Sequence, residues 1–195
     1  MDESFQAGTR SWTEFPFGVA EEEDAREGPW LAHQEVVIGS RQLKLSGRID
    51  RIDVAAGGRA IRLSDYKTGE LPRNASRAVL DRGREVQRVL YAIAARQLCP
   101  DTRQLTSRLV YLDTDVQPFA LRDPTLAEAE TELVRYLDVA CDLLSAGMAC
   151  PGPDGQERYN DLKLALPADT YGYFRRKAAA FAALHRDMAP LWSKS

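Results

Sequence analysis

Several absences narrow the reading before any motif is considered. No apolar run approaches the roughly 18 residues that would suggest a membrane span, so a soluble chain with no membrane partner is expected. Asp2, Glu3 and Glu14 stand where a secretory signal would need a basic start and an apolar stretch, which makes the cytoplasm the expected location. Cysteine is scarce: Cys99, Cys141 and Cys150 are odd in number and widely spaced, with no Cys-x-x-Cys pair for zinc or thiol redox work. There is no Gly-rich Walker loop, so any ATP-driven step belongs to another domain or subunit. The net charge of −3 offers no global attraction to nucleic acid.

What is present is unevenly distributed. A sum near zero hides an acidic lead-in, with Glu21, Glu22, Glu23 and Asp24 in a row, and a middle crowded with Arg73, Arg77, Arg82, Arg84, Arg88, Arg96, Arg103 and Arg108. A length of 195 residues suits one domain with its own core. Residues 1–34 read as the lead-in, 35–121 as a sheet core and 122–195 as a helical C-terminal part, the whole being a domain excised from a larger protein.

Residues 35–38 and 43–54 have the β-branched, alternating character of strands, with a turn at Gly39-Ser40. Gly57-Gly58 then allows a turn, and the pattern resumes at 60–67, so residues 42–67 read as a β-hairpin. Apolar positions at helical spacing predict a helix over 84–98, ended by Cys99-Pro100. Residues 105–112 and 117–121 are read as a second strand pair. Two further helices are expected over 125–144 and about 170–188, the last burying Tyr173, Phe174, Ala178, Phe181 and Leu184. The order predicts an α/β or α+β layer structure with a mixed sheet.

The chemistry lies in the hairpin. A period of two places Ile61, Leu63, Asp65 and Lys67 on one face of the strand, so an acid and a base continue an apolar row. Desolvating them is costly unless they are paired or bind a metal. Asp50, after the apolar row Leu43, Leu45, Gly47 and Ile49, is able to approach Asp65 across the hairpin. Two adjacent carboxylates suit a hard cation such as magnesium, or manganese in its place, with the Tyr66 backbone carbonyl as a further ligand. That arrangement hydrolyses a phosphodiester, with Lys67 orienting the attacking water or neutralising charge on the phosphate. For Asp53, an ion pair with Arg51 or Arg48 is preferred to metal binding.

An Asp followed one hairpin later by Asp-x-Lys resembles the PD-(D/E)xK nuclease superfamily. The run Gly47-x-x-Asp50-Arg51-Ile52-Asp53, then Asp65-Tyr66-Lys67-Thr68-Gly69, then Gln87-x-x-x-Tyr91, is similar to its RecB-like branch, found in bacterial helicase-nucleases of recombination and repair. The resemblance is clearest over residues 35–112. It implies a restriction-endonuclease-like fold, a central mixed sheet flanked by helices, and divalent-metal-dependent hydrolysis of DNA, exonucleolytic and on single strands or ends, beside a helicase domain or subunit. It assigns catalysis to Asp50, Asp65, Lys67, Gln87 and Tyr91, the metal to Asp50 and Asp65, and leaves a DNA-tracking role for Arg73, Arg77, Arg84 and Arg88. The alternative is a module that no longer cuts and serves DNA binding or subunit assembly. The further acidic or histidine ligand that the family carries upstream is not placed: His33 reads as a surface or packing residue and the 21–24 run as a solvated face. The iron-sulphur cluster of some relatives is not expected, since three scattered cysteines cannot reproduce its four ligands.

Overall fold

The computed structural model describes residues 5, 7–18, 27–76, 78–112, 116–148, 166–184 and 186–193. The chain forms β1 (Arg10–Phe17), β2 (Val36–Ile38), β3 (Leu43–Leu45), β4 (Gly47–Val54), β5 (Ala60–Lys67), α1 (Gln87–Leu98), β6 (Gln104–Leu112), β7 (Val116–Arg122), α2 (Thr125–Ser145), α3 (Thr170–Leu184) and α4 (Ala189–Ser193). Five strands make one mixed sheet in the order β1-β4-β5-β6-β7, and β2 pairs with β3 in a small separate ribbon. β5 and β6 are parallel, and α1 is the crossover that parallel neighbours require. All other neighbours in the large sheet are antiparallel. This is a mixed α/β sheet flanked by helices, the expected restriction-endonuclease-like architecture.

Two sequence expectations change here. The region read as an acidic lead-in supplies an edge strand, because Trp12, Phe15 and Phe17 give β1 the apolar weight to pair along β4. The strand expected over 43–54 is broken at Ser46, so that β3 turns away to β2 while β4 enters the main sheet. The loop expected over 150–155 lies outside the described residues.

Burial explains the layering. Ile61 and Leu63 on β5 are buried at 1% and 0% exposure, and α1 closes over them with Val89, Ala92, Ala94 and Ala95 all but inaccessible. Small alanines let α1 lie close to the sheet while α2 packs on its far side through Leu126, Ala129, Leu133 and Tyr136. α3 differs from expectation: Ala178 is exposed, and Tyr173, Phe174 and Phe181 are half-buried and stack mainly on one another at 5.6 Å.

On the opposite face of β4 and β5, Asp53 is fully buried and receives hydrogen bonds from Ser11 Oγ (2.7 Å), Arg51 Nε (2.8 Å) and Arg62 Nε and Nη2 (3.0 and 2.9 Å). The ion-pair reading of Asp53 therefore stands, with Arg62 joining Arg51. Burial opposes the charged form, but the bonds from Ser11, Arg62 and Arg51 outweigh it and hold the Asp53 carboxyl below its ordinary value.

A depressed folded pKa contributes stability that is present above the unfolded carboxylate pKa and is lost as pH falls through the folded one. Asp53→Ala is expected to cost about 2–4 kcal/mol near neutral pH, and urea unfolding in acid should show the gap to wild type closing. A pH-independent gap would contradict this account.

Candidate active site

The antiparallel ladder between β4 and β5 runs from Val54↔Ile61 to Arg51↔Ser64 and stops one residue short of Asp50 and Asp65. There the Asp50 side chain replaces the ladder: its Oδ2 accepts the Tyr66 backbone N–H at 2.8 Å. Asp50 is thereby pinned at the mouth of the gap where the strands part. A carboxylate fixed by a backbone donor keeps one oxygen committed and leaves the other available.

Asp65 continues the Ile61–Leu63 row as expected and is 3% exposed. Its Oδ2 is buried and accepts no hydrogen bond of proper geometry, although Lys67 Nζ lies 2.6 Å away as an ion-pair partner. Burial pushes the Asp65 carboxyl above its ordinary value; Lys67 works against this, and the charge on Asp50 adds to it. Two carboxylates, one of them desolvated, share one close lysine, which leaves the site short of positive charge.

The N-terminus of α1 completes the group. Lys67 Nζ donates to Gln87 Oε1, and Gln87 Nε2 reaches the Tyr91 hydroxyl at 3.5 Å, the outer limit of a hydrogen bond. Positions 87 and 91 are one helical turn apart and share a face, which lets a single helix present both. The Tyr91 hydroxyl is pushed up to about 12, first by burial and then by the charges of Asp65 and Asp50. It stays protonated at neutral pH.

The structure brings together Asp50, Asp65, Lys67, Gln87 and Tyr91 as the sequence indicated, and the oxygens of Asp50 and Asp65 are the ones suited to a hard divalent ion. Among the described residues no three His, Cys, Asp or Glu side chains converge into a complete metal site, so the two aspartates are a pair.

The arginines separate. Arg73 and Arg84 are exposed, while Arg77 lies outside the described residues. Arg88 does not track a DNA backbone: it is 1% exposed, and all three guanidinium nitrogens are taken, Nε by Glu85 (2.6 Å), Nη1 by the Phe119 carbonyl (3.1 Å) and Nη2 by the Ala78 carbonyl (2.6 Å). The physical reason is the helix boundary. Residues 81–83 form a 3-10 turn in which Asp81 and Arg82 take positive φ, so α1 starts at Gln87 and the expected Arg84/Arg88 helical pair does not exist.

Glu14 was missed by sequence reasoning. The β1–β4 pairs Thr13↔Arg51 and Phe15↔Ile49 bracket it, which puts it beside Asp50 across the sheet. Its φ of 47° is unusual for a non-glycine residue, and its charge acts on Tyr91. The available signal was an acid set among Trp12, Phe15 and Phe17, obscured because the segment looked like a lead-in. His33 is exposed, as read, and residues 21–24 lie outside the described residues.

A raised folded pKa means that the ionised Asp65 carboxylate weakens the metal-free fold. The penalty sets in as pH rises through the ordinary carboxylate range and is complete above the folded pKa. Asp65→Asn should therefore melt higher than wild type in EDTA at pH 7, by on the order of 2–4 °C per kcal/mol recovered, and lose any rise in Tm that magnesium or manganese gives wild type. A lower Tm for the variant in EDTA would count against the electrostatic description.

The family model for the PD-(D/E)XK nuclease superfamily matches residues 3–170, and no curated protein sequence matches the chain. The matched span includes β1 with Glu14, both strands of the active-site hairpin and α1, well beyond the 35–112 region where the motifs alone were clear. Members of this superfamily generally use divalent metal ions. With its mixed sheet, its paired aspartates and the lysine two residues after the second of them, the chain belongs to the PD-(D/E)XK nuclease superfamily.

Proposed function

We propose that the chain is the nuclease domain of a RecB-like, divalent-metal-dependent deoxyribonuclease, an exonuclease acting on single strands or ends in recombination or repair beside a helicase domain or subunit. The observation that carries this reading is the buried Asp65 carboxylate with Asp50 pinned alongside it and Lys67 as the close cation on the same strand face. Magnesium or manganese held by Asp50 and Asp65 would supply Lewis-acid polarisation of the phosphodiester and a bound water acidic enough to attack phosphorus. The Tyr66 carbonyl is a further ligand in this reading. Within an extended strand the N–H and C=O of one residue point to the same side, and the Tyr66 N–H points at Asp50.

The chain's own groups do the rest. Lys67, held between Asp65 and Gln87, places a cation where charge develops on the phosphate. Gln87 fixes the lysine by its carbonyl oxygen and passes its amide to Tyr91, which remains a neutral donor. Burial of Asp65 and Tyr91 keeps bulk water from this side of the site and strengthens each electrostatic term. Exposed Arg73 and Arg84 lie on the loop and turn that follow β5 and lead to α1, and in this reading they contact the DNA backbone.

Labelled single- and double-stranded DNA, incubated with magnesium, manganese or EDTA, tests the proposal. Wild type should degrade DNA only with metal, shortening single strands from an end. Lys67→Ala is expected to lower the rate by on the order of 10²–10³-fold, and Asp65→Ala to reduce it to background. Equal degradation by all three would place the chemistry elsewhere. DNA binding without degradation by wild type would favour the alternative of a non-cutting assembly module.

A further inference from the structure

The sheet face opposite Asp65 carries two polar rows that the nuclease site does not use. Strand register aligns Ser11, Asp53, Arg62, Thr106 and Arg122 across all five strands, and Thr13, Arg51, Ser64, Arg108 and Ala120 in the next row. Four guanidinium groups and one carboxylate thus share a single sheet face. Asp53 is fully buried and already divided between Arg51 and Arg62, so it has no oxygen left for the others.

Arg108 is the informative member. Its Nε donates to Ser64 Oγ at 2.8 Å, and among the described residues no carboxylate lies within ion-pair distance of it. Its terminal nitrogens, a fork suited to two oxygens of one anion, have no partner in the described structure. Burial, and then the charges of Arg62 and Arg51, outweigh the favourable pull of Asp53 and Tyr66 and lower the pKa of the guanidinium. Asp53 offsets the charge of Arg51 and Arg62, to which it is bonded, and leaves Arg108 on a half-buried face without a carboxylate of its own, a costly arrangement that a further anion would relieve. Solvent reaches the rows, since Ser11, Thr13 and Arg122 are exposed and Arg51 keeps 38% of its side chain accessible.

We propose that this face is a second phosphate-binding surface, on which Arg108, with the partly exposed Arg51 beside it, holds the sugar-phosphate backbone of a polynucleotide away from the cutting site. The proposal rests on the nuclease reading for the identity of its ligand, because a chain that cuts DNA is presented with phosphodiesters. It differs from that reading in place: Ser64 and Tyr66 point to this face, whereas Asp65 and Lys67 between and beyond them point to the other. One strand, β5, would then engage nucleic acid on both sides, by cutting on one and by retention on the other. Guanidinium contacts to phosphate carry no base preference, so the surface would hold any sequence.

The test is fluorescence anisotropy of a labelled oligothymidylate in EDTA, across a series of salt concentrations, with wild type, Arg108→Ala, Arg108→Gln and Arg108→Glu. The glutamine keeps a donor for Ser64 and, by removing a repelled cation, should melt no lower than wild type. Arg108→Ala and Arg108→Gln are expected to bind about three- to tenfold more weakly and to reduce the slope of log K against log salt by about one. Arg108→Glu should bind more weakly still. Wild-type affinity and slope in all folded variants would overturn the proposal, as would failure of wild type to bind the oligonucleotide. Inorganic phosphate at millimolar excess serves as the competing arm, and displacement of the oligonucleotide by phosphate at equal phosphate concentration would assign the site to free phosphate and overturn the polynucleotide claim. Because binding is read without metal, its outcome is independent of cleavage. Arg108-dependent binding by a chain that never cuts would sink the nuclease reading alone, and cutting with Arg108-independent binding would sink this one alone.

Discussion

A carboxylate at the end of an apolar row sits where burial disfavours its charge, and much of the fold follows from how Asp65 is accommodated. Ile61 and Leu63 require α1 to cover their face of β5, yet the same cover removes water from Asp65 two residues later. Lys67 answers part of the need from the same strand face, and Gln87 at the start of α1 holds the lysine in position. The parting of β4 from β5 at this level lets Asp50 approach without a ladder bond in the way. The desolvated carboxylate beside Asp50 costs stability that Lys67 recovers in part.

β5 divides two kinds of electrostatic problem. On the α1 side, carboxylates outnumber the cations close to them. On the other, guanidinium groups outnumber the single buried carboxylate of Asp53. Because alternate residues of one strand serve opposite faces, the segment from Arg62 to Lys67 contributes to both. Its parallel pairing with β6 and antiparallel pairing with β4 fix that alternation from both sides, so a slip of one residue would exchange the two faces altogether.

The hairpin and its motif were legible because their information is local. Period-two alternation assigns Asp65 and Lys67 to the apolar face without knowledge of any neighbour, and spacing of four joins Gln87 to Tyr91. What could not be read depended on distant partners. β1 carries Pro16 and a left-handed Glu14 and has an acidic run after it in sequence, so nothing local marks it as a strand, and Glu14 was hidden with it. Arg88 looked like its arginine neighbours in sequence. Its burial is decided by a turn at 81–83 that delays the helix start and by carbonyls at positions 78 and 119, neither of which leaves a local pattern. Asp53 was read correctly as an ion pair, but the partner two strand positions beyond the turn, Arg62, emerged only from register.

The way Arg88 is held bears on how such a domain can diverge. Two of its bonds end on main-chain carbonyls, of Ala78 and Phe119, which every amino acid possesses. The guanidinium therefore senses where the chain passes and is indifferent to which side chains it carries there. Substitutions through the 71–80 loop and along β7 leave these two contacts in place, whereas a one-residue insertion would move a carbonyl out of reach and release the base of the helix that bears Gln87. Such a connection lets the composition of the chain around the start of α1 change while its path stays fixed.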